Sequence, residues 1–448
     1  MEKRFQLEQI ISPTKQAEMV FGSQKIVAGT NYKKTKHCLE IKCDEGRLLY
    51  HTLTGELLLL RGDSDRIKYT DTLIKRRFLV PEDTDECRLA DDFKSLLKLI
   101  NPEKTTKTSF TILTTTDCNA RCFYCYELGR KRVSMSIEKA RKAASYIAEA
   151  SNGEAVKLHW FGGEPLCNIP AIDTILDVLE ERKIAFSSKI TTNGFYLDKM
   201  IAGKAKDKWK TELLQITLDG TERIYNTTKS YKDTDCDNPY RRVLENIGYV
   251  LDEGMWVCIR LNMDRKNAED LSALCDELSV KFGGRDNLNV NVAFLRAFER
   301  DIHPFSSEEE AASCFLALHD KIIKLGLSSP GRLERRIRAN KCMADSLSSE
   351  VILPDGNVGR CEHFSETEIV GNIYDNNRDE DLVCSWKETA DPFDSCRECA
   401  LYPRCINLKK CDWDRYGCPE SVRIVRTELL KKQILCEYRE LKRKKRID

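Results

Sequence analysis

Cys118, Cys122 and Cys125 stand in the run Thr116-Asp117-Cys118-Asn119-Ala120-Arg121-Cys122-Phe123-Tyr124-Cys125-Tyr126, a C-x3-C-x2-C spacing. Three thiolates on so short a loop can ligate three irons of a [4Fe-4S] cube and leave the fourth iron without a protein ligand. That open iron could chelate a substrate or cofactor, whereas a purely structural cluster has all four positions filled. A zinc ion is the competing occupant, and it would want a fourth ligand nearby. This loop supplies none.

A second group of thiols lies late in the chain. Cys342 is followed by Gly356 and Cys361, and then comes Cys396-x2-Cys399-x5-Cys405-x5-Cys411-x6-Cys418, with Cys436 beyond. Such C-x2-C pairs suit iron-sulfur clusters and also zinc knuckles. The chain has 20 Cys in 448 residues. A reducing compartment keeps thiols free, and a chain of this length can build cores without disulfide staples, so metal ligation accounts for them better. Cys38, Cys43, Cys87, Cys167, Cys236, Cys258, Cys275 and Cys314 are scattered, and read as small buried or incidental thiols. His159 and His363 read as structural.

The 73 Lys and Arg nearly balance 72 Asp and Glu, which gives no reason to expect nucleic acid or an anionic membrane as a partner. The basic run 442–446 reads as a solvated helix end. No apolar run is long enough to span a bilayer, and residues 1–20 carry charges where a signal peptide needs an apolar stretch. A cytoplasmic location is expected.

What must position the first three thiolates is an alternating pattern of strands and helices. Strands are predicted at 110–114, 156–160, 188–191, 213–218, 256–262 and 289–294, and helices at 137–149, 171–182, 240–253 and 268–282. Six such units imply a parallel sheet in an α/β fold, a partial (β/α)6 barrel, with chemistry at the C-terminal strand ends. The Cys118 loop directly follows the first strand. Gly162-Gly163-Glu164-Pro165 ends the second, Thr192-Asn193 the third and Asp219 the fourth, while Arg260 and Asn262 lie on the fifth. Two glycines let backbone approach a ligand closely, and Glu164 can accept from an ammonium. Singly, each is as readily an ordinary strand-end turn or surface salt bridge. The expected domains are a small N-terminal α+β domain at 1–104, the barrel at 105–330 and a Cys-rich domain at 331–448. The first shows paired strand-like runs at 37–42 and 47–52, a turn at Thr54-Gly55 and a helix near 90–100.

The Cys loop, with an aromatic before its third Cys, resembles the defining motif of the radical S-adenosylmethionine (SAM) superfamily. The segment Gly162 to Pro165 resembles that family's GGEP turn, which binds the SAM amino group. Thr192, Asn193 and Asp219 resemble segments lining the SAM and substrate site. Arg260 and Asn262 are similar to positions that contact the SAM carboxylate and ribose. The late cysteines resemble the SPASM domain of peptide-modifying members, which carries two auxiliary [4Fe-4S] clusters. The resemblance implies a distal cluster on Cys396, Cys399, Cys405 and Cys418, and a nearer one on Cys342, Cys361 and Cys411. The spacing departs from the family's, with five residues between Cys405 and Cys411 where three are common. Cys436 is a rival ligand, although its place in a predicted helix over 422–441 suggests a buried thiol. Cys384, a solvent species or a substrate thiol could close the nearer cube.

By this resemblance the chain is a radical SAM peptide maturase with SAM and three [4Fe-4S] clusters as cofactors. It would take hydrogen from a ribosomally made precursor peptide, a substrate thiolate on the nearer cluster would capture the carbon radical as a thioether, and the clusters would accept the electron that this oxidation releases. An electron donor such as a flavodoxin or ferredoxin is implied, and the N-terminal domain is a candidate for leader-peptide recognition. Formylglycine generation, a carbon-carbon crosslink and a non-enzymatic zinc protein remain alternatives.

Overall fold

Between residues 109 and 294 the alternating pattern becomes six parallel strands, Ser109–Thr115, Val156–Gly162, Phe186–Thr192, Thr211–Leu218, Trp256–Met263 and Leu288–Phe294, each bonded to the next in chain order. The computed structural model describes residues 7–61, 70–127, 129–232, 235–295, 304–340, 342–363, 368–375, 377–405, 408–411 and 418–444. One face of the sheet is apolar and covered, with Leu158, Trp160, Ile190, Leu214, Ile216, Ile259 and Leu261 all buried. The ladder sets Thr111 opposite His159, His159 opposite Lys189, Gln215 opposite Thr191 and Cys258, and Thr217 opposite Arg260. Paired residues share a face, so these polar side chains line the other side of the sheet together.

The helices start where capping residues allow them. Ser136 accepts from Lys139 N to begin Ile137–Ala150, and Asn238 accepts from Arg241 N to begin Pro239–Asp252, with proline in its first turn. The second buries Val243, Leu244, Ile247, Val250 and Leu251, an apolar stripe worth about 1.5–3 kcal/mol per side chain. Among the described residues of 105–330, three α-helices lie outside the predicted set, Lys199–Asp207, Glu222–Lys229 and Glu308–Lys324. Glu222–Lys229 escapes the pattern because its buried residues are Tyr225 and Lys229.

The strand pattern does not end with the sixth strand. Ser349–Ile352 lies parallel to Ser109–Thr115 on its other side, followed by antiparallel Asn357–Gly359 and Gly371–Asn372, giving nine strands in one sheet. Arg360, fully buried, donates to the carbonyls of Ala344, Ser346 and Ser349 and so staples this addition. Buried Glu350 accepts from Tyr146 Oη at 2.7 Å and pairs with Arg378. Lys104–Ser329 and Met343–Lys387 form one compact unit, so part of the Cys-rich segment belongs with the barrel.

The other unit gathers Met1–Glu103, Pro330–Cys342 and Glu388–Asp448. Its antiparallel sheet runs Leu7–Ile11, Leu57–Arg61, Gly46–His51, Cys38–Cys43. Leu39, Ile41, Leu48, Tyr50, Leu57 and Leu59 pack in one core with Leu430, Ile434 and Tyr438 of the helix Glu420–Lys444. Cys436 of that helix is exposed, contrary to the expectation of a buried thiol, because Val422, Val425, Leu430, Ile434 and Tyr438 form the packed face. The basic run 442–446 ends outside the described residues. No helix among the described residues is long and apolar enough to cross a membrane.

Candidate active site

The Cys118 loop leaves the C-terminal end of the first barrel strand and is held by its own polar groups. Asp117 Oδ1 accepts from Cys118 N at 2.8 Å, and the Arg121 guanidinium caps the carbonyls of Cys118 and Ala120. Two donors face Cys118 Sγ, Ala120 N at 3.3 Å and Asn193 Nδ2 at 3.8 Å. Burial pushes the Cys122 thiol up to about 11 against the pull of Lys229. Burial raises the Cys118 thiol as well, and a bound metal would supply the charge that lets these two ionise.

The glycine turn is built for this loop. A Cβ on Gly163 would stand 2.3 Å from Asp117 O, and one on Gly162, at φ +122°, would stand 2.2 Å from Thr115 O. Gly163 N and Glu164 N donate to the carbonyls of Thr115 and Asp117 at 3.0 and 2.8 Å. The close approach that requires glycine is thus to the chain leading into Cys118. Buried Glu164 accepts from Leu166 N, Thr192 Oγ1 at 2.7 Å and Asn193 N at 2.7 Å. Pro165, beside it in the turn, opens a short 3-10 helix. Asn193 Nδ2 then bonds Asn119 Oδ1 at 2.7 Å, so three strand ends form one connected rim.

Asp219 ends the fourth strand in a polar knot. Its carboxylate accepts from Tyr124 Oη at 2.9 and 2.8 Å and from Asn262 Nδ2 at 3.4 Å, and it pairs with Lys229 Nζ at 3.0 Å. Asp219 and Lys229 are 1 % and 3 % exposed. Burial opposes the Lys229 charge, but Asp219 and the neighbouring Cys122, Tyr124 and Tyr225 outweigh it and hold the ammonium well above the ordinary lysine range. Arg260 Nε reaches Asn262 Oδ1 at 2.9 Å, joining the fifth strand to the knot. Tyr124 and Lys229 were not among the predicted site residues. Tyr124 stood inside the Cys motif, whereas a lone lysine on a polar helix gives no sequence signal.

Residues 112–278 match the radical SAM superfamily model. The chain carries a radical SAM domain. An uncharacterised protein of Methanocaldococcus jannaschii is 30% identical over 121 residues, which are 27% of this chain and 41% of that protein. The chain thus matches less than half the length of that curated relative. Among solved structures, native anSMEcpe with bound AdoMet and Cp18Cys peptide aligns with a TM-score of 0.54 at 15% identity, over 75% of this chain and 99% of that one. Streptococcus suis SuiB bound to precursor peptide SuiA aligns with a TM-score of 0.50 at 13% identity, over 84% and 94% of the two chains. At these identities the likeness is one of fold.

A radical SAM domain implies SAM and a [4Fe-4S] cluster, and the rim fits them. The domain's Cys loop offers three thiols with donors already aimed at one, and Asn119 Nδ2 is buried beside Cys118 with no hydrogen-bond partner. Among the described residues no three His, Cys, Asp or Glu side chains converge on a single metal ion. A cube spreads its thiolates over separate irons. Glu164 is already engaged by three donors of the chain, and Asp219 is closed off by Lys229; Thr192, Asn193, Arg260 and Asn262 stand around them at the strand ends.

Of the late cysteines, Cys396, Cys399 and Cys405 lie together against the core of Leu53, Ala90, Phe93, Leu97, Ile337 and Tyr402. Cys418 is exposed; burial pushes the Cys396 thiol up, and the neighbouring Cys399, Cys87 and Cys418 push it the same way. Cys342 and Cys411 belong to the same unit as these, and Cys361 and exposed Cys384 to the barrel unit. His363, two residues after Cys361, packs its ring edge-to-face on Tyr126, which follows Cys125, with centroids 4.6 Å apart.

Proposed function

We propose that this chain is a radical SAM peptide maturase that joins a cysteine sulfur to a carbon of a ribosomally made precursor. The observation that carries the reading is the single rim tying the Cys loop, the glycine turn and the third strand end together. When bound, the cluster and SAM supply a one-electron cleavage that yields a carbon radical able to take hydrogen from a peptide. The chain's own residues do the rest. Cys118, Cys122 and Cys125 hold the cluster, with Ala120 N and Asn193 Nδ2 steadying the first sulfur. Gly162, Gly163, Glu164 and Pro165 fix the loop's approach, and Thr192, Asn193, Arg260 and Asn262 offer polar contacts to SAM. Asp219 acts through Tyr124 and Asn262, keeping both in place.

The late-cysteine spacing supports two auxiliary [4Fe-4S] clusters, the distal on Cys396, Cys399, Cys405 and Cys418, the nearer on Cys342, Cys361 and Cys411. A vacant iron on the nearer cube would bind the substrate thiolate and favour its ionised form. The N-terminal segment 1–104 would take the leader as an added strand, at Leu7–Ile11 or Cys38–Cys43, the end strands of its sheet. An electron donor such as a flavodoxin or ferredoxin would supply the electron that cleaves SAM, the electron released when the sulfur-carbon bond forms would pass to the auxiliary clusters, and a cytoplasmic setting would keep thiols reduced. The peptides bound in the two solved neighbours support a peptide substrate.

Mass spectrometry of a peptide encoded beside the gene, incubated anaerobically with enzyme, reductant and SAM, tests this. Loss of two hydrogens together with loss of the free thiol is expected. Loss of two hydrogens with the thiol intact would indicate a carbon-carbon bond, and a new aldehyde would indicate formylglycine; either would replace the thioether. Removing the leader should weaken binding at least tenfold, and equal affinity would place recognition outside residues 1–104.

A further inference from the structure

We propose that Cys87, on the N-terminal helix Glu86–Ile100, is the fourth thiolate ligand of the distal auxiliary cluster, joining Cys396, Cys399 and Cys405, and that Lys36 holds it there. The proposal rests on the auxiliary clusters proposed above and changes who builds one of them. Cys87 has no motif neighbour in the sequence and reads there as incidental. The fold sets it at the late cysteines: Cys87 Sγ lies 3.7 Å from Cys396 O, and Cys87 shares one core with Tyr402 against which Cys396, Cys399 and Cys405 pack.

Its mount is rigid. Asp85 caps the helix by accepting from Cys87 N at 3.1 Å and Arg88 N at 3.0 Å, and Ala90, Phe93 and Leu97 root the same helix in the core. Lys36 bridges the two segments, with Nζ 2.9 Å from Cys87 Sγ and 2.9 Å from Cys396 O, and 5.2 Å from the centre of the Tyr402 ring. Buried Glu86 accepts from Lys36 N at 3.0 Å and from Thr35 Oγ1, fixing the loop that carries the lysine. A cation placed on a sulfur and on a neighbouring ligand's carbonyl suits a thiolate in a site of net negative charge. Cys418, the rival, is exposed, whereas Cys87 is 9 % exposed.

Cys87→Ala and Cys418→Ala, each purified anaerobically from the full chain, should separate the two. The parent should hold about twelve irons, and Cys87→Ala should lose about four of them together with one auxiliary signal in the reduced electron paramagnetic resonance spectrum, while Cys418→Ala keeps both. Should Cys87→Ala misfold, Cys87→Ser keeps the side chain's shape and should alter that signal through an oxygen ligand. Lys36→Met should retain the irons and make one auxiliary reduction potential more negative. Parent-like iron and spectra in the Cys87 variants would overturn the ligand role alone. A parent near four irons would overturn it together with the auxiliary clusters.

Discussion

Lys229 and Asp219 form an ion pair sealed from water, and breaking such a pair costs more than its formation contributes. Lys229→Met would leave the Asp219 carboxylate buried with only neutral donors, Tyr124 Oη and Asn262 Nδ2. The expected loss is on the order of 3–5 kcal/mol in urea denaturation. Adding Asp219→Asn removes the stranded charge and should recover much of it. A double variant no more stable than Lys229→Met would show that the pair is not what costs the stability. Gly163→Ala acts at the same rim by another route, since its Cβ meets backbone oxygen rather than a movable side chain. The barrel should fold while the Cys118 loop shifts, so SAM cleavage should fall at least a hundredfold with circular dichroism unchanged. Near-normal cleavage would mean the loop tolerates displacement.

At the scale of strands and helices, the strand Gly46–His51 carries a titration. Burial lowers His51 from its ordinary 6.5 to about 4, and its ring sits between acceptor and donor, Nε2 at 3.2 Å from Arg77 O and Nδ1 at 3.4 Å from Thr54 N. The unfolded chain takes up this proton near pH 6.5 and the folded chain only near 4, so the unfolded state binds more protons between them. Stability should fall as pH drops through that window, by on the order of 3 kcal/mol at its foot. His51→Gln should flatten the slope of chemical denaturation midpoints between pH 7 and 5; an unchanged slope would assign the acid sensitivity elsewhere, His37 first. The barrel elements were legible because their signals are local: alternation marked 213–218 inside Thr211–Leu218, and the apolar stripe marked Ala268–Phe282 to the residue. Ser349–Ile352 was not, since four residues carry too short a period to register, and what seats them is buried Arg360 and Glu350. The rim was legible as motifs, yet its wiring was not, because which partner Glu164 or Asp219 takes depends on strands brought together from distant sequence.

For the whole molecule, iron is the most direct readout. Replacing Cys118, Cys122 and Cys125 together by Ala should abolish 5'-deoxyadenosine production and leave about eight of about twelve irons, because the late cysteines lie on other segments. Loss of nearly all iron would mean the clusters assemble as one set. The order of synthesis adds a further demand. Ser109 pairs with Ser349, and the unit begun by residues before 104 is completed only by residues after 387. The first unit cannot close before residues 388–444 have been made, and Ser109–Thr115, which ends at the Cys loop, waits with one edge bare until Ser349–Ile352 arrives. Loop closure over such separations is slow, and an unpaired strand edge invites association with other chains. The nascent protein should therefore engage chaperones for longer than its individual β/α units would suggest, and iron delivered before residues 396–418 are made would meet thiols whose partners do not yet exist.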